Sequence, residues 1–362
     1  MHSPSLFVVA SQSFEAARQL DDPAGRGTLH GHGFEARIVA PAAACRPGFR
    51  GDETAWLHNR LAQKVATLDY SLLNDRIPEP CDASVAEWLL DQSRLAGTAG
   101  LALQSAPDRG AIVRPEGSRL AWQRFRLEAA HRLPNVPAGH KCGRMHGHGF
   151  EVVLFSALDP QANARTVQQA IADAWNPIHR QLNLACLNDL PGLENPTSEV
   201  LAQWIWQGLR DTLPGLSGVT VMETASAGCH FDGQGWRIWK SMSFDSAVRL
   251  ARAPEGDPRR LIHGHTFTTR LHLSGGLDEV MGWVYDYGDV KHCFDPVFRA
   301  LDHHPLYEHP GLSDNGPASI AAYIDAEMAS ELPGLSRVDV LETPGCGALL
   351  CRQPDDRGLL VP

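Results

Sequence analysis

The sequence predicts an α+β fold: three tandem ββααββ units that close, within one polypeptide, into a pseudo-trimeric barrel of antiparallel strands with the helices outside. Two observations carry that expectation. The tripeptide His-Gly-His occurs three times, starting at His30, His146 and His263, so the copies stand 116 and 117 residues apart. Such a period is the length of a small domain and far longer than a solenoid repeat. Within the middle copy, stretches of period two flank two stretches with apolar residues every three or four positions, which is the pattern of strands around helices. A four-stranded sheet with one covered face has open edges, and three fused copies can join those edges to one another.

Taken in order, the elements of the middle copy are clear. WQRFRLEAAHRL (122–133) and HGFEVVLFSAL (148–158) alternate and predict two strands. ARTVQQAIADAWNPIHRQL (164–182) and TSEVLAQWIWQGLRDTL (197–213) predict helices, the second opened by Thr197 as a cap behind Pro196. GVTVMET (218–224) and CHFDGQGWRIW (229–239) predict the last two strands. The other copies keep the same landmarks. Phe14–Arg18, Leu127–His131 and Phe244–Val248 precede each His-Gly-His, and LDYSLLND (68–75), LNLACLND (182–189) and LDHHPLYE (301–308) follow it. Gln104, Glu223 and Glu342 stand near the ends of the copies. The expected units are 1–118, 119–237 and 238–362.

Bulk properties exclude several classes. A net charge of −10 over 362 residues argues against a nucleic-acid binder that relies on phosphate neutralisation. No apolar run approaches a membrane span, and the N-terminal MHSPSLFVVASQSFE lacks a basic lead and a long apolar core, so a cytoplasmic protein is expected. Eight scattered cysteines with no Cys-x-x-Cys pair fit small core residues in a reducing compartment.

Cys142 is set apart. It lies four residues before His146, where the other copies have Arg26 and Arg259. Residues two apart in a strand point to one face, so His146 and His148 project together, and His131 joins them from the neighbouring strand. Three such histidines suit a zinc ion with its fourth position open. Lys141 and Arg144 beside Cys142 are expected to lower the thiol pKa. The thiolate is then a base or nucleophile, with a fourth zinc ligand as the rival reading. For Arg26 and Arg259 the readings are phosphate ligands or salt-bridged arginines.

The segments FRLEAAHRLPNVPAGHKCGRMHGHGFEV, LNDLPGLENPTSEVLAQWIW and METASAGC resemble 6-carboxy-5,6,7,8-tetrahydropterin synthase, within the 6-pyruvoyltetrahydropterin synthase family. GWVYDYGDVK and LDHHPL carry the resemblance into the third copy, and the first copy is the most divergent. The resemblance implies the T-fold and assembly into stacked trimeric rings. Three fused units then imply a homodimer of pseudo-trimers. It also implies His131, His146 and His148 as zinc ligands, Cys142 as the catalytic thiol, Glu223 as the carboxylate that anchors a pterin, and Thr197 as a pocket residue. Glu342 is a second candidate anchor. An Asp-His pair that moves a proton is expected too, but the middle copy has Asn183-Leu184 there. The third copy holds it as Asp302-His303, and so a single composite site per chain is expected, with the pair reaching it within the same chain or from a facing one. The implied reaction converts 7,8-dihydroneopterin triphosphate to 6-carboxy-5,6,7,8-tetrahydropterin, acetaldehyde and triphosphate, a step the family places in queuosine biosynthesis. The alternatives are a non-catalytic pterin or purine binder, a 6-pyruvoyl synthase, or an aldolase on a related pterin.

Overall fold

The computed structural model describes residues 4–21, 27–159, 164–312 and 314–353. The first unit contributes strands β1 (Ser5–Leu20) and β2 (Thr28–Pro41), helices α1 (Glu53–Val65) and α2 (Asp82–Ser93), and strands β3 (Gly100–Ala106) and β4 (Arg109–Val113). The middle unit repeats the series as β5 (Arg119–His131), β6 (His146–Ala157), α3 (Ala164–Leu182), α4 (Ser198–Leu209), β7 (Leu216–Thr224) and β8 (Ala227–Phe231). The third gives β9 (Trp236–Val248), β10 (His263–Gly275), α5 (Tyr287–Leu301), α6 (Pro317–Met328), β11 (Leu335–Thr343) and β12 (Cys346–Cys351).

These strands lie side by side in chain order, and β12 pairs antiparallel with β1 from Ser5↔Cys351 to Val9↔Gly347, which closes the ring. Closure leaves no long edge for a foreign strand. Alternation sorts the side chains onto two faces. One face packs against all six helices in a continuous apolar layer that includes Phe34, Phe150, Phe267, Trp175 and Ile205. The other fills the barrel interior with a second cluster around Phe7, Trp122, Val153, Phe155 and Leu349, to which no helix contributes. The aromatic pairs Phe14–Phe34 and Phe244–Phe267 stack at 4.9 and 5.4 Å between ring centres, and Leu127↔Phe150 fills the same register position in the middle unit.

One expected strand is two. CHFDGQGWRIW is broken after Phe231 by a turn in which Asp232 Oδ1 accepts from Gln234 N and Gly235 N, both at 2.9 Å, and Gly233 has φ +89°. Trp236 therefore begins the third unit's first strand rather than ending the second unit's last. Among the described residues no helix is long and apolar enough to cross a membrane.

Candidate active site

β5 and β6 pair with His131 opposite His146 and Ala129 opposite His148, so three imidazoles gather at the end of one hairpin. Gly147 allows it, since a Cβ there would sit 3.1 Å from the Ala129 carbonyl. One donor nitrogen from each of His131, His146 and His148 lies within 4.8 Å of the others. Backbone carbonyls fix the tautomers of two of them: His131 Nδ1 donates to Pro196 O at 3.0 Å, and His146 Nδ1 to Arg144 O at 2.8 Å. Each is left with an Nε2 lone pair, and that of His131, a residue 1% exposed, is buried without a partner. Burial, with the neighbouring imidazoles, pushes His131 down to about 4 and lowers His148 as well, so the ligating neutral form is favoured. An orphaned buried lone pair facing two further imidazoles fits a metal cage with an open position, and zinc suits that donor set.

Beside the cage is a cavity of about 510 Å³, lined from the middle unit by Cys142, His146, His148, Thr197, Glu199 and Glu223. Trp283, Tyr285, Asp286 and Tyr287 of the third unit form the opposite wall. Hydrogen bonds fasten that wall across the seam. Asn135 Nδ2, Asn195 Nδ2 and Thr197 Oγ1 donate to the carbonyls of Val280, Met281 and Gly282 at 2.6–2.7 Å. Val284 N donates to Glu199 Oε1 at 3.0 Å.

The expected residues fall in different places. Cys142 and Glu223 share the cavity. Thr197 lines it and also spends its hydroxyl on structure, capping α4 at Val200 N (3.1 Å) while donating to Gly282. The expectation of a lowered Cys142 pKa is corrected: the thiol is raised, by burial first, then by Glu223 and Asp286, which together outweigh Lys141. Asp302 and His303 are outside the cavity lining. Asp302 Oδ2 holds His303 Nδ1 at 2.9 Å, and both are tied to β9, with Asp245 N donating to Asp302 Oδ1 and His303 N to Asp245 O. The same bonds hold Asp69-Tyr70 to Glu15 and Asn183-Leu184 to Glu128. The pair is therefore held against the first strand of its own unit.

Each of the other two units has a different side chain at the position of His131. Arg18 takes the place of His131, donating to Pro80 O at 3.1 Å as His131 does to Pro196 O, and it ion-pairs with buried Asp82 at 2.6 Å. Ser105 Oγ adds a bond to Asp82. Register also corrects the alignment of Gln104: it pairs with Glu35 as Met222 does with Glu151, so Ser105, not Gln104, stands where Glu223 stands. In the third unit Val248 replaces the histidine, and Arg259 is salt-bridged to Asp257 and to Asp52 of the first unit, 5.0 Å above the Phe49 ring. Glu342 lies in that seam, pushed up to about 7 by burial and Asp52 against Arg259. Arg26 lies outside the described residues.

Sequence reasoning missed Glu199. It is 1% exposed and held at about 7 by burial, while Glu223 is pushed to about 8 by burial and by Glu199. A carboxylate in the first turn of a helix with apolar neighbours was the available signal.

The sequence profile of the 6-pyruvoyl tetrahydropterin synthase family matches residues 121–234 and again 237–352, well over half the chain. A 6-carboxy-5,6,7,8-tetrahydropterin synthase of Synechocystis sp. is 33% identical over 120 residues, 31% of this chain and 92% of that protein. A dihydroneopterin monophosphate aldolase of Pyrococcus furiosus is 32% identical over 101 residues, 27% of this chain and 79% of its own length. Among solved structures, Caenorhabditis elegans 6-pyruvoyl tetrahydropterin synthase aligns at 23% identity over 31% of this chain and 92% of its own, with a TM-score of 0.28.

Proposed function

This chain belongs to the 6-pyruvoyl tetrahydropterin synthase family, and from that premise we propose that it is a zinc-dependent lyase. In this reading it converts 7,8-dihydroneopterin triphosphate and one water to 6-carboxy-5,6,7,8-tetrahydropterin, acetaldehyde and triphosphate. The observation that carries the reading is one cavity holding Cys142, two cage histidines and Glu223 within a segment similar to the Synechocystis enzyme. His131, His146 and His148 would hold the zinc, which supplies Lewis acidity toward substrate oxygens. Glu223, with Glu199 behind it, receives the amino-pyrimidine edge of the pterin. Two carboxyls shifted to about 8 and about 7 retain a shared proton into neutral pH, so the pair offers a donor as well as acceptors. Cys142 takes or returns a proton at the side chain of the substrate. The aromatic wall of Trp283 and Tyr285 keeps water from that face.

The Asp302–His303 pair then acts from a second copy of the chain. His303 is 76% exposed, and the end of the barrel that carries it also exposes Leu29, Met145, Ile262, Tyr70 and Leu184. These residues recur at equivalent register positions in the three units, which suits a stacked homodimer. Light scattering should give about twice 39.5 kDa; a trimer of chains would exclude this arrangement. The units divide near 118 and 235, the location is cytoplasmic, and the product feeds queuosine formation.

Anaerobic incubation of zinc-loaded protein with 7,8-dihydroneopterin triphosphate, followed by mass spectrometry, tests the reading. A 6-carboxy pterin is the expected product. The Pyrococcus likeness favours a second reading, aldol cleavage of a monophosphorylated dihydroneopterin. Turnover of that compound with the triphosphate untouched would select it.

A further inference from the structure

The turn that carries Cys142 is capped by a histidine. His140 Nδ1 accepts from Cys142 N at 3.2 Å, and on the other side of the ring Nε2 lies 3.4 Å from Asp286 Oδ2. Asp286 belongs to the third unit, caps α5 by accepting from Gly288 N and Asp289 N at 2.6 and 3.2 Å, and lines the cavity. One imidazole thus joins the thiol's backbone to the opposite wall of the pocket.

The next seam shows the same device with different parts. There Asp257 Oδ1 caps the equivalent turn by accepting from Arg259 N at 3.0 Å, and Asp52, the residue before α1, reaches across to the Arg259 guanidinium. In both seams a carboxylate at the start of the following unit's helix secures the turn of the preceding unit. Asp257 spends its second oxygen, Oδ2, on the Arg259 guanidinium at 2.7 Å, and Arg259 is the group that crosses the gap. A histidine cap does both tasks through its two ring nitrogens and leaves position 142 free for a thiol.

We infer that His140 and Asp286 form a cross-unit positioning pair that fixes the Cys142 turn against the third unit's wall for the reaction proposed above. Neither residue is assigned proton transfer, because both imidazole nitrogens are already engaged. Catalysis suffers when a reacting group is displaced by even a fraction of the productive geometry, so losing the link should reduce kcat and leave KM nearly unchanged.

Two substitutions separate this link from the caps themselves. His140→Asn keeps an oxygen to cap the turn and loses the reach to Asp286. Asp286→Ser keeps a helix cap and loses the reach to His140. Hydrogen exchange measured by mass spectrometry on the zinc-loaded full chain should show the peptide spanning 139–144 exchanging at least about threefold faster in both. The N-terminal peptide of α5 should be unchanged in Asp286→Ser. Turnover should fall about tenfold in each single variant and no further in the double variant, since the two residues act as one unit. Unaltered exchange of 139–144 in Asp286→Ser overturns the inference, as does faster exchange with native kcat. If the native chain turns over no dihydropterin while exchange responds as described, the proposed function fails and the linkage stands. Should His140→Asn fail to fold, Asp286→Ser carries the test alone.

Discussion

The turns at Lys141–Gly143 and Pro258–Arg260 occupy equivalent places ahead of a His-Gly-His strand, and their chemistry is opposite. The first presents a thiol into a cavity beside three gathered imidazoles. The second drives a guanidinium between two carboxylates from different units and rests it on Phe49. The backbone is held in both, but by a neutral cap in one case and by an ionic lock in the other. The middle seam is tied in addition by hydrogen bonds to the 280–284 backbone.

The largest expected effect comes from breaking the middle cage. His148→Ala should take zinc from about one per chain to near zero by elemental analysis and lower turnover about a thousandfold or more. A native stoichiometry near three would mean that the other two units also bind metal, despite Arg18 and Val248 in place of the histidine. Next in size is Arg18→Ala, which strands Asp82 in a site where both side chains are almost fully enclosed. Removing one member of such a pair costs about 3–5 kcal/mol, readable by urea denaturation. The paired change Arg18→His with Asp82→Ser copies the middle unit's arrangement and should raise zinc content toward two per chain.

The carboxyl pair gives a pH-dependent contrast. Glu223 at about 8 and Glu199 at about 7 hold protons more tightly than the ordinary 4.5 of an unfolded chain. Folding at these sites takes up protons, and their contribution to stability is complete below about pH 4.5 and is lost as pH rises through 7 and 8. Glu223→Gln should match the native chain in denaturant midpoint near pH 4.5 and exceed it near pH 9. Equal midpoints at both would refute the shared proton. Smallest of all is Arg259→Ala. Its guanidinium is 34% exposed, so solvent screening limits the loss to about 1 kcal/mol, with zinc binding in the middle unit unaffected.

Much of this was legible beforehand because the chain repeats itself. Phe14, Leu127 and Phe244 mark one register, and the helical period of 164–182 ran unbroken through Pro177, as α3 does. The cage was legible because strand geometry alone puts His146 and His148 on one face. What stayed hidden depends on neighbours far apart in the chain. The thiol's raised pKa comes first from burial and then from Glu223 and Asp286, 81 and 144 positions from Cys142, whereas only Lys141 and Arg144 were visible locally. The seams were equally hidden, since no local pattern shows that residues 283–287 face residue 142. The place of Asp302 and His303 was hidden for the same reason: chemistry suggested a partnership with Cys142, and no local pattern shows that the pair is bonded to Asp245.

The pairing of β12 with β1 has a hereditary consequence. In a ring of three separate identical chains, one codon change alters every site at once, so a guanidinium could not replace a metal ligand without abolishing them all. Because this ring closes inside a single polypeptide, Arg18 in place of a cage histidine and Arg259 in place of the thiol are each encoded once, and a change at one vertex leaves the other two as they were.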